Sequence, residues 1–384
     1  MANALQVKLV DHPGKYLGIT FKLRGNRIVD FQDIIYKVAS KLQGWKAKLL
    51  SQVGRLTLIN SVLHSLPIYN FSVFKVPKHI CHKLDSIINA FWWGHDPDKK
   101  KLHMTNWEKI TLPKSRGGLG IKKFSTMNQA LIAKQYWRIC SHPNLLLTKT
   151  FKAKYCPNED LHTHKPKSHA SWIWKSIMGS NNPILTQGRW RVGNGSNIPL
   201  NHPLWYQTKP DIPNHIRNQA QTVTDLIDLI NAHWKSERIL QLYDYETSQQ
   251  LLSIPLSKVA FHSLLDKIIW PHSTTGDFQV KQAYQLLHQS AFPPHSHNGG
   301  SHNIWKHLWK IPLPHKILTF TWKLLQNALP IKTELVKRGI QCDPKCQLCH
   351  SENESSTHLF ISATLQGLSG WELTSLLDPL LRTR

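Results

Sequence analysis

The stretch that decides the fold occupies residues 33–63, DIIYKVASKLQGWKAKLLSQVGRLTLINSVL. Its apolar residues recur at alternating steps of three and four, which is the repeat of one helix face: Ile34, Val38, Leu42, Trp45, Leu49, Val53 and Leu56. Gly44 and Gly54 weaken this pattern, because a glycine inside a helix costs about 1 kcal/mol. The stretch therefore predicts one long amphipathic helix, or two shorter helices joined at a bend.

A cationic stripe runs beside the apolar one and is called the basic ridge below. Its members are Lys37, Lys41, Lys48 and Arg55, which follow one another at steps of four, seven and seven residues. At about 100° per residue they fall within roughly 40° of one another, along about 27 Å of a continuous helix. Such a ridge suits a polyanion, although a solvated lysine face gives the same pattern.

The composition is that of a folded basic protein. The 384 residues are 41% hydrophobic, and 48 Lys and Arg against 23 Asp and Glu give a net charge of +25. This excess favours nucleic acid or another anionic surface as the partner. No stretch reaches 18 consecutive apolar residues and the N-terminus lacks a secretory pattern, so we expect neither a membrane span nor a membrane partner. Six scattered cysteines indicate a reducing compartment, nuclear or cytoplasmic.

Local patterns along the chain predict an α+β, predominantly helical protein. It would have a helical N-terminal domain, a small mixed middle region with a β-hairpin, and a C-terminal helical domain like a zinc knuckle. The elements that support this are short strands within 7–23, helices over 79–93 and 125–140, a hairpin at Asn194-Gly195, helical segments over 224–234 and near 251, a strand-turn-strand-helix unit over 270–284, a Pro/Gly/Ser/His-rich linker, and helices over 304–329.

A cysteine cluster near the C-terminus carries the clearest metal-binding pattern. Cys346 and Cys349 have the spacing that lets two thiolates point into one turn, and His358 follows a polar loop. Cys342 is the first candidate for a fourth zinc ligand and His350 the second. Free cysteines on a surface loop, and an iron–sulfur cluster on the same three cysteines, are the alternatives.

Catalytic patterns are missing from the sequence. Two-metal phosphoryl transfer needs paired carboxylates, and the nearest approaches are Asp96-Pro97-Asp98 and Asp244-Tyr245-Glu246, neither of them in an apolar strand. We therefore predict no catalytic residue in this chain.

Several short motifs, taken together and in order, resemble the reverse transcriptases of plant LINE-type (non-LTR) retrotransposons. They are 16–19 (YLGI), 42–46 (LQGWK), 50–59 (LSQVGRLTLI), 91–94 (FWWG), 117–120 (GGLG), 128–131 (NQAL), 276–284 (GDFQVKQAY), 314–316 (PHK), 320–322 (FTW), 338–340 (RGI) and 358–360 (HLF). The resemblance covers most of the chain.

The resemblance implies a domain order. Residues 1–157 would hold the end of the palm and a thumb-like region, 158–289 a middle region, 290–303 a linker, and 304–384 a truncated reverse-transcriptase zinc-binding domain. In that family the Tyr-Leu-Gly stretch follows the Asp-Asp motif that binds magnesium, so we expect the catalytic palm, and with it the magnesium site, to be missing. The family's last cysteine ligand falls at Ala363, so the zinc site has lost one ligand unless Cys342 replaces it.

The resemblance also implies a function. The family is an RNA-directed DNA polymerase, and this part of it would bind the RNA and DNA of a template–primer duplex without sequence specificity, through the basic ridge. On its own the chain would be inactive. The alternatives are an accessory part of a polymerase completed in trans, and a basic structural or interaction protein. The sequence does not determine the oligomeric state.

Overall fold

The computed structural model describes residues 15–16, 19–20, 29–44, 49–94, 102–157, 161, 164–179, 187–202, 204–205, 221–256, 265–291, 300–347 and 349–362. Helices dominate, and the strands form two-stranded antiparallel pairs. The predicted α+β, predominantly helical class is confirmed. The chain divides into two compact units, which are described in turn.

The first unit combines residues 1–67, 77–125 and 294–384. Its strands and helices are β1 Lys15–Tyr16, β2 Ile19–Thr20, α1 Val29–Gly44, α2 Gln52–Leu58, α4 Lys78–Trp93, α5 Trp107–Thr111, α12 Gly300–Leu308, α13 His315–Leu325 and α14 Lys332–Val336. A π-helical turn, Ile59–Leu63, follows α2, and a 3-10 turn, Lys114–Arg116, follows α5. Strand β1 pairs with β2.

The stretch 33–63 forms two helices and a π-helical turn rather than one helix. Helix α1 ends at Gly44, and α2 starts after Ser51, whose Oγ accepts a hydrogen bond from Gly54 N at 3.1 Å. A serine at this position satisfies a backbone N–H that the first turn of a helix leaves without a partner. The two-helix alternative is therefore the observed one.

Helix α4 is the packing partner of both α1 and α2. Its buried face includes Ile80, Leu84 and Ile88, as the helical repeat predicts. Gly94 ends the helix at φ 69°, a left-handed conformation that glycine adopts without strain. The predicted helix and its cap are confirmed.

Two polar side chains are buried beside the start of α6, Phe124–Ser141. The Asp85 carboxylate on α4 accepts a hydrogen bond from Phe124 N at 3.2 Å. His64 Nε2 lies 3.0 Å from the Lys122 carbonyl oxygen, and its ring packs edge-on against Phe124. Segment 122–124 is therefore held by two buried titratable side chains, the acidic Asp85 and the basic His64.

The N-terminal and C-terminal parts of the first unit share hydrogen bonds. Gly117 O accepts from Trp322 Nε1 at 2.7 Å and from Gln326 Nε2 at 2.6 Å. Gly117 has φ 83°, and a Cβ atom there would lie 2.7 Å from the Trp305 ring. A glycine is therefore needed at this junction.

The second unit combines residues 68–76 and 126–293. It contains most of α6 together with α3 Ile68–Val73, α7 Leu146–Tyr155, α8 Trp172–Ile177, β3 Arg189–Arg191, a 3-10 turn Val223–Leu226, β4 Ile227–Asp228, β5 His233–Trp234, α9 Ser236–Leu242, α10 Tyr245–Leu252, β6 Lys267–Ile269 and α11 Val280–Ala291. Asn128 joins its two sequence segments, because its amide accepts from Val76 N and donates to the carbonyls of Phe71 and Phe74.

Two apolar clusters fill this unit. One surrounds Trp174 and Trp270 and takes residues from α6, α8 and α11. The other contains Leu226, Ile239 and Leu251 and lies between the β4–β5 hairpin, α9 and α10. Trp174 and Trp270 are fully buried and fill the centre of the first cluster, as their large apolar rings favour.

The middle region departs from the predicted elements in three places. The hairpin is β4–β5, not Asn194-Gly195, because β3 pairs with the distant β6 and the 193–197 loop folds onto Asp266 instead. The Asp266 carboxylate accepts hydrogen bonds from the backbone N–H groups of Gly193, Gly195 and Asn197. The hairpin also replaces the helix predicted over 224–234. Residues 277–279 precede α11 without forming the predicted second strand.

The two compact units group the chain differently from the domain order that the resemblance implies, and that domain order stays a prediction. Residues near 158 fall inside the second unit, and residues 304–384 share the first unit with the N-terminal helices. The predicted linker 290–303 is partly helical, since α11 runs to Ala291 and α12 begins at Gly300. Among the described residues, no helix combines the length and the apolar character needed to cross a bilayer.

Candidate functional site

The C-terminal cysteines lie on a short knuckle. Lys345 and Asn353 form an antiparallel bridge, and Cys346 N donates to Glu352 O at 2.8 Å. His350 N donates back to Cys346 O at 2.9 Å, and His350 closes the turn at φ 54°. These bonds hold Cys346 and His350 in one tight turn, as the two-residue gap between the cysteines predicts.

Three side chains offer ligand atoms to one point. The ligand atoms of Cys346, Cys349 and His358 all lie within 4.8 Å of one another, and Cys349 Sγ is 3.1 Å from His358 Nε2. Zinc bonds of about 2.3 Å to sulfur and 2.0 Å to nitrogen place tetrahedral ligand atoms roughly 3.5–3.8 Å apart. The three donors therefore fit a zinc ion in their chemistry, and Cys349 Sγ and His358 Nε2 would have to separate by about 0.4 Å to bind one.

The polar groups around the knuckle favour metal binding. Hydrogen bonding from the Glu352 backbone N–H, and then from Ser351, lowers the pKa of the Cys349 thiol to about 6, so the thiolate form is favoured at neutral pH. Glu352 Oε2 lies 3.0 Å from His358 Nδ1. This is an ion-pair distance without the geometry of a hydrogen bond, and the negative charge so close to Nδ1 favours a proton on that nitrogen and a metal on Nε2.

Cys342 does not join the three donors. Its thiol lies 3.9 Å from the Lys332 carbonyl oxygen, and neither Cys342 nor His350 belongs to the group within 4.8 Å. The segment of Cys342 packs along α14, away from the three donors, and its role as the replacement ligand stays a prediction. Ala363 lies outside the described residues.

Sequence reasoning missed two glutamates that organise the site. Besides Glu352, Glu354 attaches the knuckle to α14: its Oε1 accepts from Lys332 N at 3.1 Å, and its carbonyl accepts from Thr333 Oγ1 at 2.7 Å. The only signal for them was the pair of acidic residues in the loop between Cys349 and His358.

The basic ridge is only partly present. Lys37 and Lys41 are exposed and lie one turn apart on α1, beside the face that buries Ile34 and Val38. Lys48 lies outside the described residues. Arg55 is 7% exposed, and its Nη1 donates to Trp92 O at 3.2 Å. Because α2 packs against α4, the Arg55 side chain points inward and is not part of the exposed surface, and its contact with nucleic acid stays a prediction.

Helix α4 supplies exposed basic residues that the sequence reading did not single out. Lys78, His79, His82 and Lys83 all lie on its solvent side. At about 100° per residue they occupy an arc of roughly 140°. Helices α1 and α4 pack against each other, and each of them has basic side chains exposed to solvent.

Comparisons with known proteins support a zinc-binding role for the knuckle. Residues 278–368 match the family described as zinc-binding in reverse transcriptase, and the match includes Cys346, Cys349 and His358. An Arabidopsis thaliana protein provisionally named as a ribonuclease H protein is 31% identical over 336 residues, which are 86% of this chain and 53% of that protein. The chain thus spans about half the length of this relative.

A second Arabidopsis thaliana relative, an uncharacterised mitochondrial protein, is 31% identical over 151 residues. The aligned part is 39% of this chain but 97% of that protein. These similarities cover the helical region as well as the knuckle. The chain belongs to the family of retroelement reverse transcriptases and carries their zinc-binding domain.

Proposed function

We propose that this chain binds nucleic acid without sequence specificity, as the thumb-like and zinc-binding part of a plant LINE-type reverse transcriptase. The observation that carries the proposal is the exposed basic surface of α1 and α4. Lys37 and Lys41 on α1 and Lys78 and Lys83 on α4 are its lysines. Lysine contacts to phosphate carry no base information, so the bound strands are positioned rather than read.

The charge of the whole chain supports the same proposal. A net charge of +25 attracts a polyanion over distances of about the Debye length, roughly 8 Å at physiological salt. Binding by release of counterions from phosphate depends steeply on salt. The proposed ligand is the RNA–DNA duplex of a template and primer.

The experiment measures anisotropy of a labelled 20-base-pair RNA–DNA hybrid across a series of salt concentrations. Lys37→Gln with Lys41→Gln removes two phosphate contacts, and the slope of log affinity against log salt should fall in magnitude by about 1.8. The matched control is Lys149→Gln with Lys152→Gln, two exposed lysines on α7. An equal effect of the control pair would show that overall charge, and not the α1 surface, is responsible.

The knuckle would have a structural role in this function. Zinc held by Cys346, Cys349 and His358 would stabilise the folded knuckle by joining donors from either side of the 350–357 loop. Magnesium-dependent polymerisation would need a palm domain in addition to these 384 residues. The second candidate function is such an accessory role in trans, favoured by the alignment with about half of a longer relative. Primer extension by the isolated chain would refute this division of roles.

A further inference from the structure

A polar cleft opens in the first unit beside α5 and the end of α14. Its volume is about 290 Å³, and its charged lining consists of Lys109, Lys337, Arg338 and Glu334. Gln326 and Asn327, which follow α13, add amide groups. None of these side chains is a candidate zinc donor or part of the basic ridge.

Arg338 fixes one wall of the cleft. Its Nη1 donates to the Glu334 carbonyl at 3.0 Å and to Glu334 Oε2 at 3.2 Å, and its Nη2 donates to the Met104 carbonyl. These bonds connect the end of α14 to the segment before α5. They use three of the five N–H donors of the guanidinium group. The wall is therefore preorganised and still has donors to offer.

The cleft carries an excess of positive charge. Glu334 is nearly buried and pairs with Lys337 at 2.7 Å as well as with Arg338. Burial raises the pKa of Glu334, but the hydrogen bonds from Lys337 and Arg338 outweigh this and lower it overall. The carboxylate is therefore ionised at neutral pH. Three cations against one carboxylate leave a net charge of +2.

Lys109 is the cation that the fold does not neutralise. Its backbone N–H donates to Asn106 Oδ1, which caps α5. Its side chain is exposed and has no carboxylate partner among the described residues. A phosphate group offers several acceptor oxygens and a full negative charge, and it suits a guanidinium fork together with ammonium groups. The volume is close to the lower limit of small-molecule pockets, about 300 Å³, so the cleft has room for a small ligand.

We propose that this cleft binds the phosphate of one nucleotide unit, with Lys109 and Lys337 as the contacts and Arg338 as the fixed wall. The inference deepens the proposed nucleic-acid binding by assigning a discrete phosphate site away from the α1–α4 surface. It does not depend on that surface, since a mononucleotide is enough to test it.

The test is isothermal titration of the full chain with uridine 5′-monophosphate, uridine and inorganic phosphate. The monophosphate should bind at least tenfold more tightly than uridine, about the factor expected for one charge-assisted hydrogen bond. If inorganic phosphate binds as tightly as the monophosphate, the cleft recognises the phosphate alone. If the monophosphate binds more tightly, the nucleoside contributes as well.

The variant Lys109→Ala with Lys337→Ala should weaken binding of the monophosphate at least tenfold. Lys316→Ala, an exposed lysine on α13 outside the cleft, should change it less than twofold. Arg338 is left intact so that the fold is preserved, and circular dichroism checks each variant. Equal binding of nucleotide and nucleoside, no binding at 10 millimolar, or an unchanged double variant would overturn the proposal. The Lys37→Gln, Lys41→Gln variant should keep the nucleotide affinity, so failure of the α1 surface is distinguishable from failure of the cleft.

Discussion

Replacing Asp85 by asparagine should remove a pH dependence from the stability of the first unit. The carboxyl group is 7% exposed, and burial raises its pKa to about 7 even though Phe124 N–H donates to it and Lys123 lies nearby. Its ordinary pKa is 3.8. The folded protein therefore binds the proton more tightly than the unfolded chain between these two values.

The sign of the effect follows from this difference. The stability contributed by protonated Asp85 is fully present below pH 3.8 and is lost as pH rises through 7. The shift of about three pKa units corresponds to roughly 4 kcal/mol, at 1.36 kcal/mol per unit. Asparagine keeps an oxygen acceptor for Phe124 N–H but does not ionise. The variant should therefore be more stable than the wild type at pH 8, by up to about 4 kcal/mol, and similar to it at pH 4.

Urea unfolding followed by tryptophan fluorescence at half-unit steps from pH 4 to pH 8, at constant ionic strength, measures this difference. Asp343→Asn, which removes an exposed carboxylate that follows α14 and is remote in sequence from Asp85, is the control for the change in net charge and should give a difference that stays level from pH 5 to pH 8. A variant with the same pH profile as the wild type, or one that is less stable at pH 8, would refute the reasoning.

Three further predictions concern the same unit. Burial lowers the pKa of His64 to about 4, so the wild type should lose about 3 kcal/mol as pH falls from 6.5 to 4, and His64→Gln should not show this loss in urea unfolding. The chain purified without chelator should contain close to one zinc ion by elemental analysis. The Cys349→Ser and His358→Gln variants should lose this zinc. The Cys342→Ala variant should keep it if the Cys342 thiol is not a ligand. Gly117→Ala should destabilise the unit by roughly 2–4 kcal/mol through the positive φ and the contact with Trp305, while Gly339→Ala, also at positive φ but in open space, should lose only about 1 kcal/mol in the same urea assay.

Local patterns predicted the elements whose structure is decided locally. Helix α4 and its Gly94 cap follow from a repeat and a cap signal within 17 residues, and the cysteine spacing brought Cys346 and Cys349 into one turn. Lys37 and Lys41 are exposed beside the buried residues of α1, as the neighbouring apolar and cationic stripes of the sequence predict. These features need no information from distant parts of the chain.

Contacts between distant segments place other residues where local patterns could not. Arg55 lies on the correct helix face for the basic ridge, but α4, which begins 23 residues later, covers it. Cys342 is close in sequence to the other cysteines, yet Glu354 attaches α14 to the knuckle and Cys342 lies against Lys332. The polar cleft combines side chains from about 104–109 and 326–338. Contacts over such separations leave no periodic signal in the sequence.

The hydrogen bonds from Trp322 and Gln326 to Gly117 have a consequence for how the chain is made. The ribosome emits the helices around Gly117 about 200 residues before the side chains that complete their unit. At roughly 5–20 residues per second, the early helices wait for at least ten seconds with their apolar faces uncovered. A nascent chain stalled before Trp305 should therefore need a chaperone, whereas one released after α14 should not.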